Sequence, residues 1–202
     1  QSTIIIDKPS DVRLADDNRY FSSRIGNSIL GGSGLMSRLA SRIRTREGLA
    51  YSAASIWTTP VRSDGIIGAV TQTKSETTVA AIRLMAEILG EMASAPPEEN
   101  EVRDVVAQIT NGFVFNFQSP AVIVSRQMLY LSQNLPFDWL SRYLEGIQRV
   151  TPSSVHEVLR DNLPSNGLAG MVILVVGDPE AFDDGLDRLG PIRILPADDG
   201  EP

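Results

Sequence analysis

The order of the predicted elements constrains the fold of this chain more than any single motif does. Composition predicts a short strand at residues 3–7, a hairpin at residues 51–59 and 65–73, and a last strand at residues 171–176. Helical patterns fill the intervals, mostly between the hairpin and the last strand. Strands that are segregated from runs of helices predict an α+β fold, with a mixed or antiparallel sheet and helices packed on one face.

Local patterns add detail to these elements. Pro9 ends the first strand and favours an edge position for it, whereas the continuous apolar run at residues 171–176 favours a buried strand. Helix starts are predicted at residues 16–18, at Ser119–Pro120 and at Thr151–Pro152, and the spacing of residues 73–76 predicts a capping box. Gly48 is predicted to end a helix in the left-handed conformation.

Length and charge predict one domain with an acidic tail. The 202 residues include no cysteine, which excludes a disulfide scaffold and thiolate metal sites and leaves the compartment, periplasm or cytoplasm, open. The net charge of −7 disfavours nucleic-acid binding, and no apolar run is long enough for a membrane span. We assign residues 1–178 to the domain and residues 179–202 to the tail, and interpret Asp183–Asp184 as solvated.

Four arginines lie close together before the hairpin, at positions 38, 42, 44 and 46. Leu35, Leu39 and Ile43, at i, i+4 and i+8, predict the buried stripe of a helix, and Arg44 lies well around the helix from that stripe. Charge alone is equally typical of a solvated helix face. Tyr51 opens the predicted hairpin, where a half-buried strand tyrosine is the equally plausible alternative.

Other motifs exclude common site chemistries. The stretch at residues 31–34 is glycine-rich but fails the dinucleotide and P-loop patterns, so a flexible joint between helices is its plain interpretation. A catalytic zinc site needs several converging ligands, and His156 is the single histidine of the chain. We interpret His156 as an exposed helix residue and expect no metal site in this chain.

The segment from Asn27-x-x-Leu-Gly-Gly32 through Arg44 to Tyr51 resembles the insulinase/pitrilysin family of zinc metallopeptidases, in the half that does not hold zinc. Further similarities occur at residues 71–74, 135–138, 150–152 and 175–178. The resemblance implies α+β domains of about this size, paired around a peptide-binding chamber. It implies that Arg44 and Tyr51 assist catalysis at a partner's zinc site, and that Arg44, Tyr51, Gly31 and Gly32 contact the peptide.

Several expectations follow from the resemblance. The cofactor, zinc, is expected in a partner domain or subunit of the same family, and the chain is expected to be inactive alone because it lacks His-x-x-Glu-His. The ligand is expected to be a peptide. Relatives have roughly a dozen more residues between a motif like Asp7-Lys8-Pro9 and one like Leu14-Ala15-Asp16-Asp17, and that stretch normally carries a strand of the sheet. Either this chain lacks the strand or the given sequence omits a loop, and we favour the omitted loop. The alternative is a catalytically inactive structural or assembly subunit, since some relatives have lost the peptidase chemistry.

Overall fold

A computed structural model describes residues 1–117 and 119–195. Its four strands are β1 (Ser2–Ser10), β2 (Ala50–Trp57), β3 (Gly65–Thr73) and β4 (Val172–Val176). They form one antiparallel sheet in the order β2-β3-β1-β4. The predicted α+β class and hairpin are therefore confirmed.

Six α-helices accompany the sheet in the described part of the chain: α1 (Asn18–Asn27), α2 (Thr78–Ser94), α3 (Glu99–Gly112), α4 (Pro120–Ser132), α5 (Trp139–Gln148) and α6 (Pro152–Asn162). Of the helices described, none combines the length and the apolar character that a membrane crossing requires.

The helices cover one face of the sheet and enclose the core. Ile4 and Ile6 of β1 and Ile67 of β3 are completely buried on that face, and they belong to one cluster with the apolar face of α2. Ile82 and Leu89 represent that face of α2, which is buried as its periodicity predicts. Burial of this kind contributes about 25 cal/mol per Å² of apolar surface, so it is the main stabilising term for the fold.

β1 lies inside the sheet, so its predicted edge position is wrong. It pairs with β3 along its whole length and with β4 from Thr3 to Asp7. The residue pairs between β1 and β4 end at Asp7, before Pro9, so β4 needs no hydrogen bond from the proline nitrogen, which carries no hydrogen. The proline therefore limits the length of the pairing between β1 and β4, and it is compatible with an interior position of β1 in the sheet.

β4 is an edge strand, so its predicted burial is wrong as well. Among the described residues it pairs only with β1, and its side chains alternate between half-buried and exposed. The apolar run is explained by the outer face of the sheet, to which Val172, Leu174 and Val176 contribute. A continuous apolar strand therefore marks a face that the described residues do not cover.

Residues 11–17 form no strand, so the strand that relatives carry after a motif like Asp7-Lys8-Pro9 is absent from the described residues. Ser10 ends β1, and its hydroxyl donates to Asn162 Oδ1 of α6 at 2.8 Å while it accepts from the indole Nε1 of Trp57 at 3.0 Å. The chain then turns, and Leu14 donates its backbone N–H to the carbonyl of Pro60.

Three predicted helix caps are confirmed and one is wrong. The side chains of Asp17, Ser119 and Thr151 each accept a backbone N–H three residues on. The predicted capping box at residues 73–76 does not form. The Thr73 hydroxyl belongs to the end of β3, where it lies 2.6 Å from the hydroxyl of Thr77.

The beginning of the predicted tail contacts the domain. The carboxylate of Asp183 accepts the backbone N–H groups of Val79 and Ala80 at 2.7 and 2.9 Å, in the first turn of α2. The neighbouring Asp184 pairs with Arg83 at 2.8 Å, also on α2. Asp183 is exposed as predicted and also caps α2, whereas Asp184 is half-buried, so its interpretation as solvated is wrong. The start of α2 supplies donors and a positive dipole end that attract carboxylates. Residues 196–202 of the tail lie outside the described residues.

Candidate functional site

Two glycines with positive φ delimit the arginine segment. Gly34 has φ +63° and Gly48 has φ +62°, a backbone region that favours glycine. After Gly34 comes a short 3₁₀ turn, and Ser37 then begins the helical stretch, its hydroxyl accepting the N–H of Ala40. Leu35 lies in the 3₁₀ turn and is exposed, so the predicted stripe contains only Leu39 and Ile43.

The helical stretch is a π-helix over Ala40–Arg46. Each π-turn closes on the fifth residue back, as in the bond from the Glu47 N–H to the Arg42 carbonyl at 3.0 Å. Leu39 and Ile43 remain fully buried below it. Arg44 is exposed, as its angular distance from the stripe predicts. π-turns inside helices are frequent at functional sites, which makes this segment a candidate for one.

Tyr51 occupies a β-bulge. Ala50 pairs with Thr73 and Ser52 pairs with Gln72, so Tyr51 is an extra residue in β2 without a partner in β3. Bulges re-aim a side chain relative to the regular alternation of the strand. The tyrosine is 82% exposed, so its interpretation as a half-buried strand residue is wrong.

Arg44 and Tyr51 meet in space. The guanidinium carbon of Arg44 lies 5.0 Å from the centre of the Tyr51 ring, within the range of a cation–π contact. The π-helix presents the arginine, Gly48 reverses the chain, and the bulge presents the tyrosine. Both polar ends remain accessible to a ligand, because both residues are exposed.

Two of the four arginines have structural ion pairs. Arg38 donates from Nε and Nη2 to the two carboxylate oxygens of Glu101 at 2.9 and 2.7 Å, and this guanidinium holds the pKa of Glu101 below its ordinary value. Arg42 pairs with Glu87 at 2.6 Å and Glu91 at 2.8 Å on α2. These pairs connect the arginine segment to α2 and α3.

Arg44 is therefore distinguished from its neighbours by its contacts. Arg38 and Arg42 are engaged with carboxylates, whereas Arg46 makes no hydrogen bond or ion pair with the described residues. Only Arg44 lies over the tyrosine. The sequence shows four equivalent charges, and the difference between them depends on α2 and α3, which are distant in the chain.

Gly31 and Gly32 lie in different environments. They belong to a π-helical turn, Ser28–Gly32, that continues α1. Gly31 is buried against β2, and a Cβ there would be 2.0 Å from the backbone N of Ser55. Gly32 is exposed, with its nearest potential contact, to Asn27 O, at 3.1 Å. The close approach of Gly31 to the strand explains a glycine at this position without a ligand.

The described residues do not fit a catalytic zinc. They contain no group of three or more histidine, cysteine, aspartate or glutamate residues that could hold a metal ion. His156 is half-buried on α6, so its interpretation as exposed is wrong; its Nε2 lies 3.1 Å from the carbonyl oxygen of Ala93. An Nε2–H that donates to this oxygen satisfies the contact.

Comparison with known proteins agrees with this architecture. The sequence profile of the family described as "Peptidase M16 inactive domain" matches residues 9–109, half of the chain, and includes the arginine segment and the hairpin. The chain belongs to this family. Our assignment to the zinc metallopeptidases, on the side without zinc, is thereby confirmed.

Three relatives show the extent of the similarity. A zinc protease of Streptomyces coelicolor, itself uncharacterised, is 26% identical over 167 residues, which is 81% of this chain and 35% of that protein. The M16 inactive domain structure from Pseudomonas fluorescens is 25% identical with a TM-score of 0.76, over 86% of this chain and 40% of that one. An inactive peptidase domain from Bordetella parapertussis shares the fold, with a TM-score of 0.70 at 9% identity, over 87% of this chain and 90% of that one.

The M16 inactive domain described here thus spans about a third of the Streptomyces protein and two fifths of the Pseudomonas chain. Most of the length of these relatives lies outside the matched region. The words zinc protease describe the Streptomyces protein, and the described residues of this chain form no group that could hold a metal ion.

Proposed function

We propose that this M16 inactive domain binds a peptide together with a zinc-bearing partner domain and stabilises the transition state of its hydrolysis there. The contact between Arg44 and Tyr51 carries the proposal, because two exposed donors meet at a π-helix and a β-bulge. Neither feature is needed by the core, which is built from other residues of the same elements. The partner's zinc, when bound, supplies the hydrolytic chemistry.

Tyr51 is the proposed donor to the reacting carbonyl. As water adds to a peptide bond, the carbonyl oxygen gains negative charge, and a phenol O–H that donates to it stabilises that charge. One such donor contributes about 2.7–4 kcal/mol, or 10²–10³ in rate, in a site that excludes water. The exposed hydroxyl of Tyr51 has no hydrogen-bond partner among the described residues, so it is available for this bond.

Arg44 has two proposed roles. Its guanidinium lies over the Tyr51 ring and restricts the tyrosine side chain. Its N–H groups are free to donate to several acceptors at once, and a planar guanidinium suits the carbonyl oxygens of an extended peptide. Gly32 is exposed, so its backbone is available to a peptide, and Gly31 packs against β2 and holds the turn in place.

The test is a reconstitution of this chain with a chain that carries His-x-x-Glu-His. Tyr51→Phe should lower kcat by about 10²–10³ with little change in KM, because the lost bond forms mainly in the transition state. Arg44→Ala should also raise KM. Both variants should unfold at the wild-type temperature, since both side chains are exposed.

Two matched control variants distinguish the loss of the Arg44 or Tyr51 side chain from the loss of any arginine charge or tyrosine hydroxyl. Arg46→Ala removes the same charge two residues away, and Tyr143→Phe removes a hydroxyl from the aromatic cluster of α1 and α5. Both should retain wild-type kinetics. Wild-type activity in Tyr51→Phe and Arg44→Ala would instead support the structural or assembly subunit.

A further inference from the structure

A row of three polar side chains crosses the sheet at the end where Tyr51 lies. Ser52 of β2 pairs with Gln72 of β3, and Gln72 pairs in turn with Thr3 of β1. Ser52 and Gln72 are exposed and Thr3 is half-buried, while the residues on either side of Gln72 and Thr3 along their strands are buried. These three residues, which we call the polar row, therefore lie on the face of the sheet opposite the helices.

The polar row differs from the row beside it on the same face. Two residues further along the strands lie four apolar residues that pair with one another: Ala54, Val70, Ile5 and Leu174. The face therefore changes from apolar to polar over a single row as it approaches Tyr51. A uniformly solvated face would be polar in both rows, so the change indicates a local cause.

The β-bulge brings Tyr51 to the polar row. In a regular strand, consecutive side chains point to opposite faces, so residues 51 and 52 would be separated by the sheet. In the bulge both Tyr51 and Ser52 oppose Gln72, and all three are exposed. Opposed residues in a sheet have Cβ atoms about 4.5–5.5 Å apart, so the Gln72 side chain lies within reach of a ligand that contacts Tyr51.

The side chains of the polar row have unused hydrogen-bonding capacity. Within residues 1–117 and 119–195, none of the three makes a side-chain hydrogen bond. Gln72 is the longest of them, and its amide offers an acceptor oxygen beside two N–H donors. In an extended peptide, the N–H and the carbonyl oxygen of one residue point to the same side, so a single glutamine amide can bind both.

We propose that Gln72 binds the main chain of one residue of an extended peptide, accepting its N–H at Oε1 and donating from Nε2 to its carbonyl oxygen. The proposal rests on the proposed function, and it adds a binding residue and the chemical group that the residue recognises. That group is the peptide backbone, so the contact does not depend on the side chains of the peptide. Main-chain hydrogen bonds supply affinity wherever a peptide binds in extended form.

Gln72 and Tyr51 have different roles in this arrangement. Tyr51 donates to the reacting carbonyl, whose charge changes during hydrolysis. The residue bound by Gln72 keeps its charge distribution throughout. Gln72 therefore binds the substrate and the transition state equally, so its loss should raise KM and leave kcat unchanged.

The experiment measures peptide affinity by fluorescence anisotropy in the complex reconstituted with a chain that carries His-x-x-Glu-His. The probe is a fluorescein-labelled casein peptide that this complex cleaves, and the zinc is chelated beforehand so that the peptide stays intact. Gln72→Met keeps the side-chain length and removes both hydrogen bonds, so Kd should rise about fivefold to a hundredfold. Gln148→Met makes the same change at an exposed glutamine at the end of α5, on the helix side of the sheet, and should bind like the wild type.

Amide-to-ester substitution in the peptide tests the hydrogen bond itself. Each ester replaces one backbone N–H by an oxygen, and a series of peptides scans all positions. At one position the ester should raise the wild-type Kd about twofold to tenfold, whereas Gln72→Met should bind the ester and amide forms alike. Coupling at a single position distinguishes a direct hydrogen bond from an indirect effect of the variant on the shape of the site.

The outcomes separate this inference from the proposed function. Unchanged Kd in Gln72→Met, or a rise that couples to no ester position, overturns the inference. Wild-type kcat in Tyr51→Phe, combined with the expected results for Gln72→Met, rejects the catalytic role of Tyr51 and retains the backbone contact. Lowered kcat in Tyr51→Phe, combined with wild-type affinity in Gln72→Met, rejects the backbone contact alone. A reconstituted complex that neither cleaves nor binds any casein peptide rejects both.

Discussion

Replacement of Gly31 by alanine should destabilise the fold strongly, although Gly→Ala inside a helix is usually favourable. A Cβ at Gly31 would lie 2.0 Å from Ser55 N and 2.7 Å from Ala54 C. Ordinary contacts of this kind begin near 3.4 Å, so the π-turn would have to move away from β2 by more than 1 Å. Both contacting atoms belong to the backbone, which no rotamer change can displace.

The magnitude follows from three contributions. Overpacking costs about 1–3 kcal/mol. The shift also strains the bonds from Ser55 Oγ to Asn27 O and Oδ1, at 3.0 and 2.7 Å, each contributing about 0.5–1.5 kcal/mol. The higher helix propensity of alanine than of glycine stabilises the variant by about 0.5–1 kcal/mol, which offsets part of this loss. The net loss is about 1–5 kcal/mol, or about 2–20 °C in Tm for a domain of this size.

The assay is urea unfolding followed by circular dichroism, without peptide or partner. Gly32→Ala is the matched control in the same turn, since its nearest contacts lie at 3.1–3.4 Å and include the flexible Asn27 side chain. It should change the free energy of unfolding by less than about 1 kcal/mol. A Gly31→Ala free energy within about 0.5 kcal/mol of wild type would refute the reasoning, because that is the range of surface substitutions.

Four further outcomes follow from contacts described above. Asp183→Ala should lower the free energy of unfolding by about 0.5–2 kcal/mol in urea titrations, because α2 loses its cap; an unchanged midpoint contradicts this. Truncation after Gly190 should change Tm by less than about 2 °C in calorimetry, and a larger drop would show that the removed residues pack on the core. Arg38 lowers the pKa of Glu101, so their ion pair stabilises the fold above pH 4.5, the ordinary pKa, and this stabilisation is lost as pH falls through the folded-state pKa. The difference in free energy of unfolding between wild type and Glu101→Gln should therefore shrink below pH 4.5. A difference that stays constant with pH would exclude the ion pair as its cause. The chain alone should hold no stoichiometric zinc after dialysis, since His156 is engaged with a backbone carbonyl; one tightly bound zinc per chain would contradict the assignment of zinc to the partner.

Features that depend on a few neighbouring residues were predictable from the sequence. The caps at Asp17, Ser119 and Thr151 and the turn at Gly48 are local, and all four occur as predicted. The strand at residues 65–73 has the predicted bounds. Each cap is a hydrogen bond or a backbone conformation that involves residues no more than three or four positions apart, so it can be recognised in the sequence.

Features that depend on sheet order were not predictable in this way. β1 and β4 exchange their expected environments, because whether a strand lies inside or at the edge is decided by partners far along the chain. The same limit applies to the site. The spacing of Arg44 and Tyr51 was visible, but the bulge depends on pairing with β3, and the engagement of Arg38 depends on Glu101.

The π-helix over Ala40–Arg46 has a consequence for tolerance of insertions and deletions. A π-turn accommodates one residue more than the corresponding α-turn. Removal of one residue between Ile43 and Gly48 would allow α-helical closure, and every following side chain would rotate by about 100° about the axis. With a deletion after Arg44, the residues that follow, Tyr51 among them, would no longer meet Arg44, while Leu39 and Ile43 would keep their places in the core. Single-residue length changes in this segment would thus alter the site while the fold survives, a route by which related domains can gain or lose it.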